Sequence, residues 1–463
     1  MNTPTETIPT EKTPALPKNQ AEHPTVKHAL AAKANGQTLN PPAILEQDWL
    51  RQLCLDSGAD DVGFVSLDRP ELDDQRADIL MAFPHAKSII VFACRMNREP
   101  IRSLARSLAN VEFHHVGDHV TETSHNIARK LEDIGVRAMN EPVAFPMEAE
   151  RWPKPWIISL KPLAEAAGLG KIGIHRNVIH PKFGNFILLG AVIVDRAIGL
   201  ESHAIDFNPC FECKLCVAAC PVGAISSDGH FNFNSCYTHN YREFMSGFGD
   251  WVETVTNSKN ALEYRAKVTD AETVSMWQSL AGGPNYKAAH CVAVCPAGED
   301  VIGPFLEDRK GFLETQVKPF QEKVETVYVI AGTDAEAFTA KRYPHKILKR
   351  VKNGIRLPNV KSFISNMGFV FQREQAKGLE ARYHLNFTGA EQVQATVVIG
   401  QQQITVQPGL HGKADLELHA DTRTWIKFLA GEHSIVTALI SRKIRLKGPL
   451  RLLVAFGKCF PSA

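Results

Sequence analysis

Long hydrophobic runs are missing from this 463-residue chain. The longest, 186–194, is broken by Gly190 and falls well short of the roughly 20 apolar residues that a membrane-spanning helix needs. The first residues lack the charged, apolar and small-residue zones of a secretory signal, and no twin-arginine signal is present, so the expected compartment is the cytoplasm. An excess of one charge is missing too. Lys and Arg number 52 against 50 Asp and Glu, and a net charge of +2 gives no global field that would draw in nucleic acid or an anionic membrane. What remains is ordinary for a globular protein, with 44% hydrophobic and 22% charged residues. The length suits two or three domains of about 100–200 residues each.

Cysteine, by contrast, is plentiful. Ten cysteines in a cytoplasmic chain point to metal ligation rather than disulfides. Cys210, Cys213, Cys216 and Cys220-Pro221 follow C-x2-C-x2-C-x3-C-P, the bacterial ferredoxin spacing. In that pattern three thiolates on a tight loop converge on one 4Fe–4S cube and the fourth reaches a neighbouring cube. Structural zinc is the alternative, but zinc usually takes two separated hooks rather than one unbroken run. Further on come Cys236, in Asn234-Ser-Cys236-Tyr237, and Cys291-x3-Cys295-Pro296, the second half of a two-cluster arrangement. Cross-ligation assigns Cys210, Cys213, Cys216 and Cys295 to one cluster, and Cys220, Cys236 and Cys291 to the other. Cys54, Cys94 and Cys459 have no partner at metal spacing and read as buried free thiols.

Around the cysteines the chain divides into blocks. Residues 1–41, rich in Pro, Thr, Glu, Lys and Ala, read as a disordered leader. Residues 42–200 alternate strands (61–66, 86–94, 186–194) with helical patterns (44–53, 120–134, 163–167), giving an α/β or α+β core. Gly168, Gly170 and Gly173 match G-x-G-x-x-G in letters, but a helical segment precedes them where a dinucleotide site requires a strand. Three glycines in six residues instead permit close approach of the backbone to a bulky ligand. Residues 201–312 hold the cysteine module, and 313–362 read as a linker. Its 341–361 stretch carries Lys341, Arg342, Lys346, Lys349, Arg350, Lys352, Arg356 and Lys361 with no acid among them. That stretch is either a solvated face or a dock for an acidic electron donor, an anionic surface or RNA. Residues 363–463 change texture to alternating short strands and apolar helices, a separate C-terminal α+β domain.

From about residue 43 to 305 the chain resembles the iron–sulfur, corrinoid-linked reductases that include epoxyqueuosine reductases and reductive dehalogenases. The matching pieces are Leu163-Ala-Glu-x-Ala-Gly-Leu-Gly170-x-Ile-Gly173, His180-Pro181-Lys-Phe-Gly184, Phe186-x-Leu-Leu-Gly190, the Cys210–Pro221 run, Cys236-Tyr237 and Cys291-x3-Cys295-Pro296. The resemblance implies a nitroreductase-like α+β core with an inserted two-cluster ferredoxin-like module. It also implies base-off cobalamin held near Gly168, Gly170, Gly173, Pro181 and Gly184, with electrons from an external ferredoxin, flavodoxin or reductase. No D-x-H-x-x-G motif is present, which base-off binding does not need. Residues 363–460 resemble the sterol-carrier-protein type 2 domain through Met367-Gly-Phe, Gly378-Leu, Ala414-Asp415-Leu-Glu-Leu, Trp425–Gly431 and Arg442–Gly448, which implies a lipid-like or other small ligand.

Departures from the pattern sharpen the expectation. The second module of that family reads C-x2-C-x3-C-P, and here Ala288 holds the first cysteine position. The second cluster therefore is 3Fe–4S, recruits His239 or His290, or leaves one iron open. The family's presumed acid, in an Asp-Ser-Ala-Pro segment, is replaced by Lys154 between Pro153 and Pro155, which counts against the tRNA-modifying activity. His175 and Arg176 stand where epoxyqueuosine reductases usually have Asn and Ser. A reductase still needs a proton source beside its metal centre, and Tyr237, His175, His180 and Glu141 are the candidates. The expected function is reduction of a small apolar or ring-containing substrate. The rivals are a non-catalytic electron carrier with a lipid-binding domain and a redox-sensing lipid binder.

Overall fold

The computed structural model describes residues 16–36, 39–151, 155–352, 357–432 and 434–461. The core is a four-stranded antiparallel sheet in the order Asp61–Ser66, Ser88–Arg95, Ile187–Val194, Ala138–Asn140. Successive side chains on a strand point to opposite faces. Ile90, Phe92 and Cys94 pack with Val192 and Val194 beneath the helix Arg106–Glu132. Ile89, Val91 and Ala93 pack with Ala191, Ile193 and the helix Leu160–Ala166 on the other face. Both faces are covered, which is why these strands read as unbroken apolar runs.

That long helix begins at Arg106, well before Val120, where the apolar spacing becomes visible. Its first half hides because polar residues serve as anchors there. Buried Asn110 donates to the Tyr286 carbonyl (3.1 Å) and accepts the Tyr286 N–H (2.8 Å), and Glu112 accepts the Asn97 N–H (2.6 Å). The helix thus fixes the cysteine module to the core through hydrogen bonds that no hydrophobic periodicity records.

The module repeats one local geometry. The short helices Leu215–Ala219 and His290–Ala293 are each entered from a left-handed residue, Lys214 (φ 53°) and Ala289 (φ 54°). Between them lie Phe233–Asn240 and three further helices, Met245–Thr256, Ala261–Lys267 and Asp270–Gly282.

Two expectations are corrected by the fold. Residues 313–362 are not a linker. Thr326–Val329 and Ile347–Arg350 form a parallel pair with the helix Asp334–Arg342 between them. Val327, Val329 and Ala335 pack against Val222, Ala224 and Ile225 of the cysteine module. Three of the eight basic residues are paired with acids outside the stretch: Lys346 with Glu325 (2.9 Å), Lys349 with Glu272 (2.6 Å) and Arg350 with Glu336 (2.5 Å). Arg356 lies outside the described residues. The leader is not wholly irregular either, because Lys18–Ala21 and Pro24–Ala34 are helical, with no buried residue in either helix; residues 1–15 lie outside the described residues.

The C-terminal region is a five-stranded sheet in the order Gln403–Pro408, Val393–Gly400, Ala381–Thr388, Leu416–Asp421, Ile444–Lys447. Burial alternates along Ala381–Thr388, so Tyr383, Leu385 and Phe387 face Phe363, Met367, Trp425 and Phe456 on the covering helices. One face packed and one solvated is what the alternating sequence dictates. Mixed helix and sheet in the core and the C-terminal region agrees with the α+β expectation, the cysteine module between them is helical, and among the described residues no helix is long and apolar enough to cross a membrane.

Candidate iron–sulfur centres and the chambers beside them

The seven clustered thiols separate into two groups. Cys210, Cys213, Cys216 and Cys295 line a cavity of about 280 Å³. Cys220, Cys236 and Cys291 line a second of about 540 Å³, together with Ala288. Backbone N–H groups already point at the sulfurs: Ile174 donates to Cys210 Sγ (3.5 Å) and Ala224 to Cys220 Sγ (3.3 Å). Burial pushes the Cys291 and Cys295 thiols up to about 12, and raises Cys216, Cys220 and Cys236 as well, with neighbouring thiols adding to the effect on Cys216 and Cys236. Thiols in such surroundings ionise only when a cation shares the cavity.

The donor set fits iron–sulfur clusters better than single ions. A tetrahedral zinc with Zn–S near 2.3 Å needs sulfurs about 3.8 Å apart. Among the described residues no three His, Cys, Asp or Glu side chains converge that tightly on a single ion. A cube spreads its thiolates further than a single ion does.

His239 and His290 also line the larger cavity, each ring held at Nδ1 while its buried Nε2 has no hydrogen-bond partner among the described residues. His239 Nδ1 accepts the Tyr328 N–H (3.4 Å), which puts the ring proton on Nε2, and burial lowers its pKa to about 3. His290 Nδ1 lies 3.4 Å from the Ala219 carbonyl, its ring packs on Phe320, and its Nε2 sits 3.9 Å from Glu325.

The glycines expected to admit a corrin ring are used differently. A Cβ on Gly168, Gly170 or Gly184 would strike the carbonyl oxygens of His203, Ile179 and Ala297 respectively, so the close approach is of chain to chain. None of the three lines either large cavity. Pro181 accepts the Glu299 N–H (2.9 Å), docking the 180–184 turn onto the segment after Cys295. Gly173 does meet a centre, because a Cβ there would come within 3.3 Å of Cys210 Sγ. Gly168, Gly170 and Gly184 therefore pack chain against chain rather than opening onto a corrin ring, and no step is assigned to cobalt.

His180 is likewise structural. Its Nδ1 accepts the Lys182 and Phe183 N–H groups (3.1 and 3.2 Å), so Nε2–H donates to Asp61 (3.0 Å), tying the turn to the first core strand. It lines neither large cavity. His180→Ala is expected to cost about 1–3 kcal/mol of stability while leaving iron content unchanged, which parallel thermal-melt and iron assays check.

The other three candidates face the cavities. His175 lines the cavity of the second thiol group; its Nδ1 accepts the Asn177 N–H (3.1 Å), its Nε2 lies 3.2 Å from the Asn185 amide, and burial lowers its pKa to about 4. It is a neutral, fixed wall residue. Tyr237 and Glu141 face a third cavity of about 870 Å³. Tyr237 is buried and stacks between Phe233 and Tyr241. Glu141, only 8% exposed, accepts the Ile158 N–H at Oε1 (3.0 Å), and among the described residues Oε2 has no partner. Desolvation raises its pKa to about 7. Lys154 lies outside the described residues.

Lys161 was not singled out by the sequence, and it stands in the wall of both large cavities. Its exposed surface faces them, yet it lies deep enough for desolvation to lower its pKa, and the Cys236 and Cys291 sulfurs are close enough to act on it electrostatically. Its Nζ donates to the Arg176 carbonyl (2.7 Å) and Asn177 Oδ1 (3.0 Å). A lysine in the first turn of an ordinary helix carries no local signal for such a role.

Two family models match the chain: the 4Fe-4S binding domain over residues 203–226 and the SCP-2 sterol transfer family over residues 371–461. The chain is 32% identical over 112 residues to an epoxyqueuosine reductase of Staphylococcus aureus, covering 24% of this chain and 29% of that protein. It is 28% identical over 176 residues to that of Gloeobacter violaceus, covering 36% of this chain and 50% of that protein. The chain thus spans half or less of these curated relatives. The solved epoxyqueuosine reductase of Streptococcus thermophilus aligns at 16% identity and a TM-score of 0.35, over 58% of this chain and 74% of that one. The chain accordingly carries an iron–sulfur module and a sterol-carrier-like C-terminal region, and about a quarter to a third of it is similar in sequence to epoxyqueuosine reductases.

Proposed function

We propose that this protein is an iron–sulfur reductase acting on a small apolar or ring-containing substrate held beside its second thiol group. The observation that carries the reading is the division of labour between the two groups. Cys210 and Cys213 flank the exposed Phe211–Glu212 turn, where an external one-electron donor such as a ferredoxin, flavodoxin or reductase can approach. Cys220, Cys236 and Cys291 face the inner chamber. Bound on these seven sulfurs, two clusters would supply a one-electron relay from donor to chamber.

The chain's own residues do the rest. Phe233, Tyr241, Phe244 and Tyr286 wall the chamber and exclude bulk water, which strengthens every electrostatic contact inside it. Lys161, in the wall of both cavities, and Glu141, in the adjoining one, are the candidate proton donors at Nζ and Oε2. A substrate taking up two electrons from the donor and these two protons leaves a neutral amine and a carboxylate, both reprotonated from solvent. A thiol- and aromatic-lined pocket of this size favours an enzyme over a simple carrier. The same chamber is the place to look for a corrinoid, and cobalt analysis decides that question independently of the residues above.

The missing thiolate provides the test. Ala288 lines the chamber with Cys220, Cys236 and Cys291, so Ala288→Cys should supply the absent ligand. Anaerobically purified variant protein is expected to gain about one iron per chain if the native second cluster is 3Fe–4S, or to change its paramagnetic resonance signature at equal iron if one iron is open. An unchanged spectrum and unchanged iron would contradict placement of the second centre on these three cysteines.

A further inference from the structure

The cavity of about 870 Å³ is not confined to one part of the molecule. One wall is the 141–147 segment of the core, another is Tyr237 and Tyr241 of the cysteine module, and the third belongs to the C-terminal domain. That third wall is strongly apolar: Phe363 and Phe369 on the helix Val360–Val370, Ile426 and Leu429 on Thr422–Leu429, and Phe460. The inner cavity of about 540 Å³ adjoins it, since Lys161, Tyr241, Phe244 and Tyr286 face both. Specific contacts hold the C-terminal domain in this position. Arg373 pairs with Asp228 (2.6 Å), Gln372 accepts the Asp334 N–H (2.9 Å), and the Phe369 and Phe233 rings meet at 5.9 Å.

Polarity is graded along this space. The C-terminal wall offers a hydrocarbon surface, while at the core end the nine-tenths-buried Glu141 presents an Oε2 that has no partner among the described residues. Burying such an atom without a partner is costly, and a ligand atom that accepts its proton removes that cost. Lys161 adds a second donor at the junction of the two cavities.

We propose that the two cavities form one composite site for a single-chain amphiphile, with its apolar tail against the Val360–Val370 and Thr422–Leu429 helices and its oxygen-bearing head between Glu141 and Lys161, beside Cys236 and Cys291. This deepens the reductase reading and rests on it. It makes the C-terminal domain part of the substrate site rather than an attached carrier, and it assigns the substrate class as a lipid-like molecule with a hydrogen-bond-accepting head.

The test uses the full chain, purified anaerobically, and two stearic acids carrying a nitroxide, one near the carboxyl and one near the tail end. Both should bind. Reduction of the protein should broaden the carboxyl-end label much more than the tail-end label, because only the head approaches the second centre. Phe369 is 48% exposed, so Phe369→Arg leaves the core intact while placing a charge in the tail path. It should weaken binding about ten-fold or more with iron unchanged. No binding, equal broadening of both labels, or full affinity in Phe369→Arg would overturn the composite site. Failure of the reductase reading looks different: a chain that binds both labels but holds no iron on Cys220, Cys236 and Cys291 removes the electron path and leaves the composite cavity supported.

Discussion

Cys295→Ser protein, purified without oxygen, is expected to lose about one iron per chain, because its first centre is left with three thiolates, and to change that centre's paramagnetic resonance signal while the second centre's is kept. Cys295 is the one ligand of its group that comes from the second half of the module, reaching the cavity lined by Cys210, Cys213 and Cys216. Serine is a much weaker ligand there, because its hydroxyl is far less acidic than a thiol and its harder oxygen suits iron–sulfur clusters less well. The loss extends beyond the metal. Cluster binding is folding energy for a site whose buried thiols are otherwise unfavourable neighbours, so the 180–184 turn and the 297–300 segment that dock on each other should lose protection from hydrogen exchange together. Cys54→Ser is the matched control. Its thiol sits in the apolar core with burial raising its pKa to about 12, so serine there should cost about 1–3 kcal/mol and no iron. Equal iron in the two variants would contradict the ligand assignment.

Glu141→Gln should change both activity and the pH dependence of stability. The carboxyl titrates near 7 in the folded chain, raised by burial from its ordinary 4.5. Between those two pH values the folded state holds a proton that the unfolded state has released, so stability falls as pH rises through this window. The contribution is fully present below about 4.5, and by pH 8 about 3 kcal/mol of it is gone. Glutamine keeps the shape without the ionisation, so the difference in melting temperature between pH 5 and pH 8 should shrink in the variant. As an acid, Glu141 works only while protonated. Wild-type turnover with a reduced one-electron donor should therefore decline above about pH 7, and the variant should lose about 10²–10⁴-fold in rate. An unaltered stability profile together with an unaltered rate would remove Glu141 from the site.

Much of this was legible in the sequence, for definite physical reasons. The cysteine spacing encodes reach along a tight loop, and the grouping of Cys295 with Cys210, Cys213 and Cys216 follows from ligand counting. The core strands announced themselves because both of their faces are buried. The β-α-β unit at 326–350 did not, because Glu325, Glu272 and Glu336 lie outside the basic stretch whose residues they pair with. A charge run read in isolation looks like a free surface. The Gly168–Gly184 segment misled in a related way, since a glycine signals close approach without naming what approaches, and here it is the backbone of residues 179, 203 and 297. Lys161 was invisible because its role depends on two cavities meeting at one helix end, a property of the folded chain alone.

Iron, acid-labile sulfide and cobalt analysis of anaerobically purified protein, read with paramagnetic resonance before and after reduction, tests the account most directly. Two distinct cluster signals with about seven to eight irons per chain are the predicted result. A single signal with about four irons or fewer, or stoichiometric zinc in place of iron, would contradict it.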